Sequence, residues 1–300
     1  MDSDPNHHQA FLSVDKFTPQ HLKIPQKFEF IRSAFFSYIL SAVPLVVRIH
    51  GRFISSERPE TTDSGYPYLF SEHRGDHFNT VGSGYVRYVR KVKADGELDG
   101  SYTSWYQPHL HTCHVCRTSV TSQDNIWMIV VRSARHVIYD DSESSQCQVV
   151  FFDDKNDVRD VVKKTHWAYD LGDADGDYCN MFLLTGDEEL VMTLEKQEAG
   201  RREGRRELEK LLGECEEMEE SPVVVLSHPH GRKLYVTCGQ HRGEVDDKAF
   251  AVMYDARTCS GCSGGLVLDL HRGRYFYSSF PHSGVSDTGL GQSADCWVGV

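Results

Sequence analysis

Apolar residues recur at helical spacing from Phe28 to Leu40 (Phe28, Ile31, Phe35, Phe36, Ile39, Leu40), which predicts a short helix ended by Pro44. The next stretch, LVVRIHGRFI (Leu45 to Ile54), is rich in β-branched residues and reads as a strand. After a loop with Pro59, Gly65 and Pro67, Asn79 to Val92 reads as a strand entered through two glycines. Simple alternation sends its Tyr85, Arg87, Val89 and Lys91 one way and Val86, Tyr88, Arg90 and Val92 the other. Asp124 to Asp140 holds a continuous apolar run, a buried strand, and then a short segment with His136. QCQVVFFDD (Gln146 to Asp154) and DYCNMFLLTG (Asp177 to Gly186) predict two more strands. Asp187 to Glu220 changes character to Glu, Arg, Lys and Leu. It predicts a helix interrupted near Gly200 and Gly204, a solvated connection between two β lobes, with a partner-binding helix as the alternative. Strands then resume in PVVVLSHPHG, KLYVTCG, KAFAVMYD, GGLVLDL and RYFYSSF. Residues 1 to about 25 are polar and are expected to be loose.

Many short strands with turn signals between them indicate an all-β barrel or sandwich with inserted helices. The 300 residues suffice for one large domain or two lobes with a good core. A formal charge of −12 argues against sequence-independent binding to nucleic acid or anionic lipid. The N-terminus MDSDPNHHQAF lacks the basic and apolar regions of a signal peptide, and nine cysteines is an odd number. Together these predict a reducing, cytoplasmic setting. The longest apolar stretch, Ser33 to Val47, is too short and too interrupted for a membrane span and is expected in the core.

The candidate chemistry lies in DARTCSGCSGGLVL (Asp255 to Leu268). Cys259 and Cys262 form a C-x-x-C pair, and Cys113 and Cys116 form another in HTCHVC, with His111 and His114 interleaved. Compact four-cysteine zinc sites place their halves roughly 12 to 20 residues apart, far closer than these two pairs. A local zinc site at Cys113 and Cys116 with the two histidines stays open, and a thioredoxin-type role lacks its βαβ setting. The other reading is the serine of GCSGG. A hydroxyl needs an adjacent base, an acid to orient that base, and N–H groups aimed at the developing oxyanion. Glycines free the N–H groups of Gly261 and Ser263 to share one concavity. His136 follows a buried strand in WMIVVRSARHV, and Asp177 opens one in DADGDYCNMFLL. Asp173 and Asp175 compete for the acid role, and Cys262 for that of nucleophile.

Here the chain resembles the chymotrypsin/trypsin-like serine proteases. Their histidine follows a strand in T-A-x-H, their acid opens a strand, and their serine lies in G-D-S-G-G; the order and spacing of His136, Asp177 and Ser263 fit. VGSGYV (Val81 to Val86) looks like the strand preceding the histidine, SFPHSGV (Ser279 to Val285) like the strand lining the specificity pocket, and LSHPHGRKLYV like a segment of intracellular relatives. The resemblance implies two packed six-stranded antiparallel β-barrels, divided as an N-terminal extension (1–40), a lobe carrying His and Asp (41–186), the helical insertion (187–220) and a lobe carrying Ser (221–300). It implies a serine endopeptidase with catalytic His136, Asp177 and Ser263, oxyanion donors Gly261 and Ser263, and a pocket at His282, Ser283 and Gly284. His282 there would favour Gln or Glu. No cofactor is implied, and the partner is a polypeptide substrate. Cys262 in place of the usual Asp, Arg135 beside the histidine, and the lack of an I-V-G-G activation site depart from the family. A non-catalytic binding module on the same fold is the alternative.

Overall fold

A computed structural model describes residues 10–62, 65, 67–92, 126–152, 161–164, 167–169, 177–215, 218–244, 251–270, 279–286 and 289–294. The HTCHVC segment with Cys113 and Cys116, together with Asp173 and Asp175, lies outside the described residues.

The first described strand, β1 (Leu12–Ser13), leads through 3-10 turns at Val14–Lys16, Pro19–Leu22 and Gln26–Phe28 into helix α1 (Glu29–Ala42). Residues 10 to 25 are not loose as expected. Leu12 pairs with Val236, near the other end of the chain, and Phe17, Leu22 and Ile24 are buried. These side chains are too sparse for a periodic signal yet they pin the segment. α1 buries Ile31, Phe35, Tyr38, Ile39 and Ala42, the i, i+4, i+7, i+8 stripe of a core-facing helix. With its flanking turns it forms a 20-residue stretch, Gln26–Leu45, containing an 18-residue window of mean hydropathy 1.2, long and apolar enough to cross a membrane by length and composition alone. Here its apolar stripe packs into the protein core.

The N-terminal sheet contains β2 (Val46–Gly51), β3 (Thr80–Val92), β4 (Ile126–Ser133), β5 (Gln148–Phe151), β6 (Val161–Lys164), β7 (Trp167–Tyr169) and β8 (Cys179–Thr185). A short helix, α2 (Asp141–Ser145), lies between β4 and β5. The sheet order is β6-β5-β2-β3-β4-β8-β7, all antiparallel. Its two edges, β6 and β7, are consecutive in the chain. Three residue steps from Lys164 to Trp167 span at most roughly 11 Å, so the edges lie close and the sheet curls round on itself. The simple alternation expected along β3 fails at a bulge, where Val86 and Tyr88 oppose consecutive residues of β4. The extra residue, Arg87, resets the faces, and Val86 and Val89 enter the same core with Val47, Ile49, Val131 and Leu183.

The C-terminal sheet contains β9 (Pro222–Ser227), β10 (Tyr235–Glu244), β11 (Val252–Tyr254), β12 (Leu266–Asp269), β13 (Ser279–Val285) and β14 (Gly291–Ser293). Its pairings run β10-β11-β14-β13-β12-β9 and return from β9 to β10, a closed six-stranded antiparallel barrel, with β1 added on β10. The apolar run PVVVL in β9 is explained by burial on both faces. Val223 and Val225 point into the barrel with Tyr254, Val267 and Phe280. Val224 and Leu226 point outward beneath α1, with Leu266 and Leu268 of β12.

Helix α3 (Glu188–Gly213) joins the lobes. It is capped by Asp187, whose carboxylate accepts from Leu190 N at 3.0 Å. It runs unbroken through Gly200 and Gly204, correcting the expected interruption. Its 26 residues span about 39 Å. Nor is it merely solvated. Leu190, Val191 and Leu194 enter the N-terminal core, and Leu208 and Leu212 enter the core beneath α1. These burials outweigh the roughly 1 kcal/mol that each helical glycine costs relative to alanine.

Candidate active site

Strand pairing assembles the histidine and the acid. β4 ends and β8 begins with Ser133 opposite Cys179, so His136 and Asp177 leave the sheet side by side. Asp177 adopts φ +46°, a left-handed conformation that aspartate tolerates better than most residues. Its backbone carbonyl accepts from Arg135 N at 3.2 Å. Its side chain accepts twice from His136, from Nδ1 at 2.8 Å to Oδ2 and from the backbone N at 3.1 Å to Oδ1. Ser283 Oγ also donates to Oδ2. Burial pushes the Asp177 carboxyl up, but the facing His136 charge and the hydrogen bonds from His136 and Ser283 outweigh it and hold the group below its usual range. A carboxylate on Nδ1 keeps that proton in place and leaves Nε2 as the basic nitrogen. Ser283, expected on a pocket wall, therefore turns its hydroxyl onto the acid.

The serine turn is held from the N-terminal sheet by Ser83, in the middle of VGSGYV. Ser83 N donates to Ser263 O at 2.8 Å, and its Oγ donates to Gly261 O at 2.8 Å. The same Oγ accepts from His228 N at 2.8 Å, and its carbonyl accepts from Ser133 Oγ at 2.7 Å. All its polar groups are used, with no exposed surface. Next to Ser263, Gly264 has φ +81°, and a Cβ there would lie 2.1 Å from both Ser133 Oγ and Ser83 O and 3.0 Å from Ala134 N. The serine turn thus seats against the end of β4, two residues before His136. On its other side Gly264 N donates to His282 O at 2.7 Å, next to Ser283 and its acid. Ser263 itself is half-buried. Among the described residues no hydrogen bond joins its Oγ to His136.

Within the turn the N–H groups divide into two sets. Those of Cys262, Gly264 and Gly265 donate to Cys259 O, His282 O and Cys262 O. Those of Gly261 and Ser263 donate to no group among the described residues. Gly261 has φ +88°, which glycine adopts without strain. Cys262 faces away: its sulfur is fully buried and accepts from Ser227 Oγ at 3.2 Å. That placement speaks against it as a nucleophile toward His136.

His282 is also buried, with Nδ1 2.6 Å from Tyr254 Oη and 3.1 Å from Gln292 O. Burial, with the His136 charge, pushes it down to about 4 against the opposing effects of Gln292 and Asp177, so it is neutral near pH 7. Gly284 borders open space. Sequence reasoning missed Ser83 as a functional residue; the signal was a serine between two glycines in the strand before the histidine.

Among the described residues no cluster of three or more His, Cys, Asp or Glu side chains could hold a metal ion. No protein-family model matches the chain, and no curated protein matches it in sequence. Among solved structures, the active form of the Rv3671c protease from M. tuberculosis is similar at 13% identity and TM-score 0.42, covering 86% of this chain and 79% of that one. The HtrA-type protease AlgW with a tripeptide is similar at 12% identity and TM-score 0.41, covering 86% of this chain and 58% of that one. In its own topology, a closed six-stranded barrel beside a curled antiparallel sheet with His136 and Asp177 at their junction, the chain has a trypsin-like fold.

Proposed function

We propose that this chain is a serine endopeptidase. Ser263 Oγ attacks the scissile carbonyl while His136 Nε2 takes its proton, and the same proton goes to the leaving amine as the acyl-enzyme forms. Asp177 orients the imidazole and stabilises its charged form. The N–H groups of Gly261 and Ser263 receive the oxyanion. A water then repeats the sequence to release the acid. The observation that carries this reading is the His136 Nδ1–Asp177 bond beside a glycine turn whose N–H groups at 261 and 263 have no other acceptor among the described residues.

The test is reaction of the purified protein with a fluorophosphonate probe, with the labelled peptide mapped by mass spectrometry. Label on Ser263 that is lost in His136→Ala, and that slows by about 10⁴-fold in Asp177→Asn, supports the triad. Folded protein that takes no label on Ser263 favours the non-catalytic binding module instead.

The pocket reading follows from the same site. A proton on Nδ1 of a neutral His282 would go to Gln292 O and leave Nε2 an acceptor, whereas acceptance from Tyr254 Oη puts the proton on Nε2, which has no hydrogen-bond partner among the described residues. Such a donor suits the side-chain oxygen of Gln or Glu at the residue before the cut. Peptides varied only at that residue check this. Equal cleavage after Gln, Glu and Leu would discard it.

A further inference from the structure

The turn carrying the candidate oxyanion donors is closed by two cysteines. Cys262 N donates to Cys259 O at 2.9 Å, which makes residues 259–262 a hydrogen-bonded turn. In such a turn the first and fourth Cα atoms lie within about 7 Å, near the reach of a disulfide. The two Sγ atoms are 4.0 Å apart. Cys262 Sγ also accepts from Ser227 Oγ at 3.2 Å and from Cys259 N at 3.4 Å. The Cys259 thiol above all, with Ser227 and the Cys259 N–H, holds the Cys262 thiol below its ordinary range in spite of burial. Cys262 is fully buried, whereas Cys259 is half-buried beside the exposed Ser260. One sulfur is therefore open to a small reagent and the other waits behind it as a stabilised nucleophile.

We propose that Cys259 and Cys262 are an oxidation site: a hydroperoxide converts the pair to an intramolecular disulfide that distorts the oxyanion turn, and a dithiol reverses it. The Cys259 thiolate attacks one peroxide oxygen; an S–O bond forms, the O–O bond breaks, and the other oxygen leaves as alcohol or water. Two electrons pass from sulfur to the peroxide, leaving a sulfenic acid. The Cys262 thiolate then attacks the Cys259 sulfur, the S–S bond forms, and hydroxide leaves and is protonated to water. A dithiol returns two electrons and two protons by exchange. This differs from a thioredoxin-type oxidoreductase, because the pair acts on its own turn and not on another protein.

The distortion follows from distance. A disulfide needs its sulfurs about 2.05 Å apart, so the pair must close by roughly 2 Å. The turn has little slack, since a Cβ on Gly261 would lie 2.7 Å from His230 N and 2.8 Å from His228 O. Rotation of the Cys259 side chain can take up part of the closure, but Cys262 Sγ is held by Ser227 Oγ and Cys259 N, so the remainder falls on the peptide units of residues 260–263, which carry the two N–H groups. A 1 Å misplacement of such groups costs on the order of 10²-fold in rate. The effect on activity rests on the hydrolase reading above; the disulfide and the change of turn shape do not.

The experiment treats the reduced, full-length protein with hydrogen peroxide and follows three readouts. Peptide mapping should show the stretch TCSGCSGGLVLDLHR losing two hydrogens and resisting alkylation at both cysteines, with reversal by dithiothreitol. Hydrogen exchange at residues 260–263 should change on oxidation and revert on reduction. Fluorophosphonate labelling of Ser263 should fall by at least about tenfold and recover, whereas Cys259→Ser should label normally and ignore peroxide. Absence of the 259–262 disulfide, or pairing of either cysteine elsewhere, overturns the site. A disulfide with unchanged exchange in the turn overturns the distortion. If reduced protein never labels, the hydrolase reading fails, and mapping and exchange still decide the oxidation site.

Discussion

Ser83 holds Ser263 by its backbone: the Ser83 N–H donates to the Ser263 carbonyl at 2.8 Å, while the Ser83 hydroxyl donates to Gly261 O, two residues earlier. One residue of the N-terminal sheet thus sets the carbonyls of the turn whose N–H groups face the other way. A carbonyl shares its plane with the N–H of the next residue, so this clamp fixes the peptide units that follow Gly261 and Ser263, while the units carrying the candidate oxyanion donors are held by their own carbonyls, Ser260 O accepting from His230 N at 2.7 Å and Cys262 O from Gly265 N at 2.8 Å. Replacing Ser83 by Ala keeps the first bond and strands Gly261 O and His228 N without the hydroxyl. The expected loss is about 1–3 kcal/mol, read from the urea midpoint, with slower labelling of Ser263. A variant as stable and as reactive as the parent would remove Ser83 from this role.

Gly264→Ala tests the seating of the turn on β4. A methyl group would overlap Ser133 Oγ and Ser83 O, and φ +81° is unfavourable for any side chain. The backbone of two lobes must shift to admit it. Loss of most of the folded protein, or a drop of more than about 3 kcal/mol in denaturant titration, is expected. Near-normal stability would mean that the lobes meet more loosely than described.

Arg58 and Glu143 form a buried ion pair, with Nη2–Oε2 at 2.6 Å and Nε–Oε1 at 2.9 Å. Arg58 also donates to His136 O at 2.9 Å, and Glu143 accepts from Tyr139 N and Ser55 N. The pair ties the loop after β2 to the histidine segment. Glu143→Leu alone leaves a buried guanidinium uncompensated, at a cost of roughly 3–5 kcal/mol by thermal or urea unfolding. Arg58→Met with Glu143→Leu should recover much of that loss. A double variant no better than the single one would contradict the desolvation account.

Two buried histidines should weaken the fold as pH falls. Burial pushes both His228 and His282 down to about 4, from an ordinary value of 6.5. The unfolded chain takes up these protons as pH falls through 6.5, and the folded chain only near 4. Their contribution is therefore fully present above pH 6.5 and is lost as pH drops toward 4. Each group adds a slope of up to about 1.4 kcal/mol per pH unit in that window. Stability measured by urea at several pH values should show this slope, and His228→Asn should make it shallower. An unchanged slope in that variant assigns the weakening at low pH to other groups.

Most strands, α1 and the lobe-joining helix were legible, because PVVVL, GGLVL and WMIVV are apolar runs that buried strands accommodate, whereas the short strands β6, β7 and β14 carry no such run and were not expected. His136 and Asp177 stood out because each borders such a run and their order fits the family that the chain resembles; the hydrogen bond between them is what the structure adds. The β3 bulge was not legible, since a single extra residue leaves no trace in the pattern except a broken alternation. The N-terminal strap was missed because Phe17, Leu22 and Ile24 are spaced by turns and not by a regular period. The unbroken course of α3 was missed because its glycines signalled a break, and only tertiary burial at both ends overrides them. Ser83 and Ser283 were hidden for another reason: a serine that holds a carbonyl or a carboxylate looks the same in sequence as one in an ordinary turn.

The strap has a consequence for the order in which the molecule can be made. β1 and the buried side chains behind it are synthesised first, yet the strand that receives Leu12 comes after Tyr235, in the last third of the chain. Until β10 emerges, Phe17, Leu22 and Ile24 have no complete bed to lie in. An early segment therefore closes over a late one, and pairing across so long a loop is slow. An N-terminal lobe caught alone on the ribosome would leave this first segment unburied, a ready handle for chaperones and proteases.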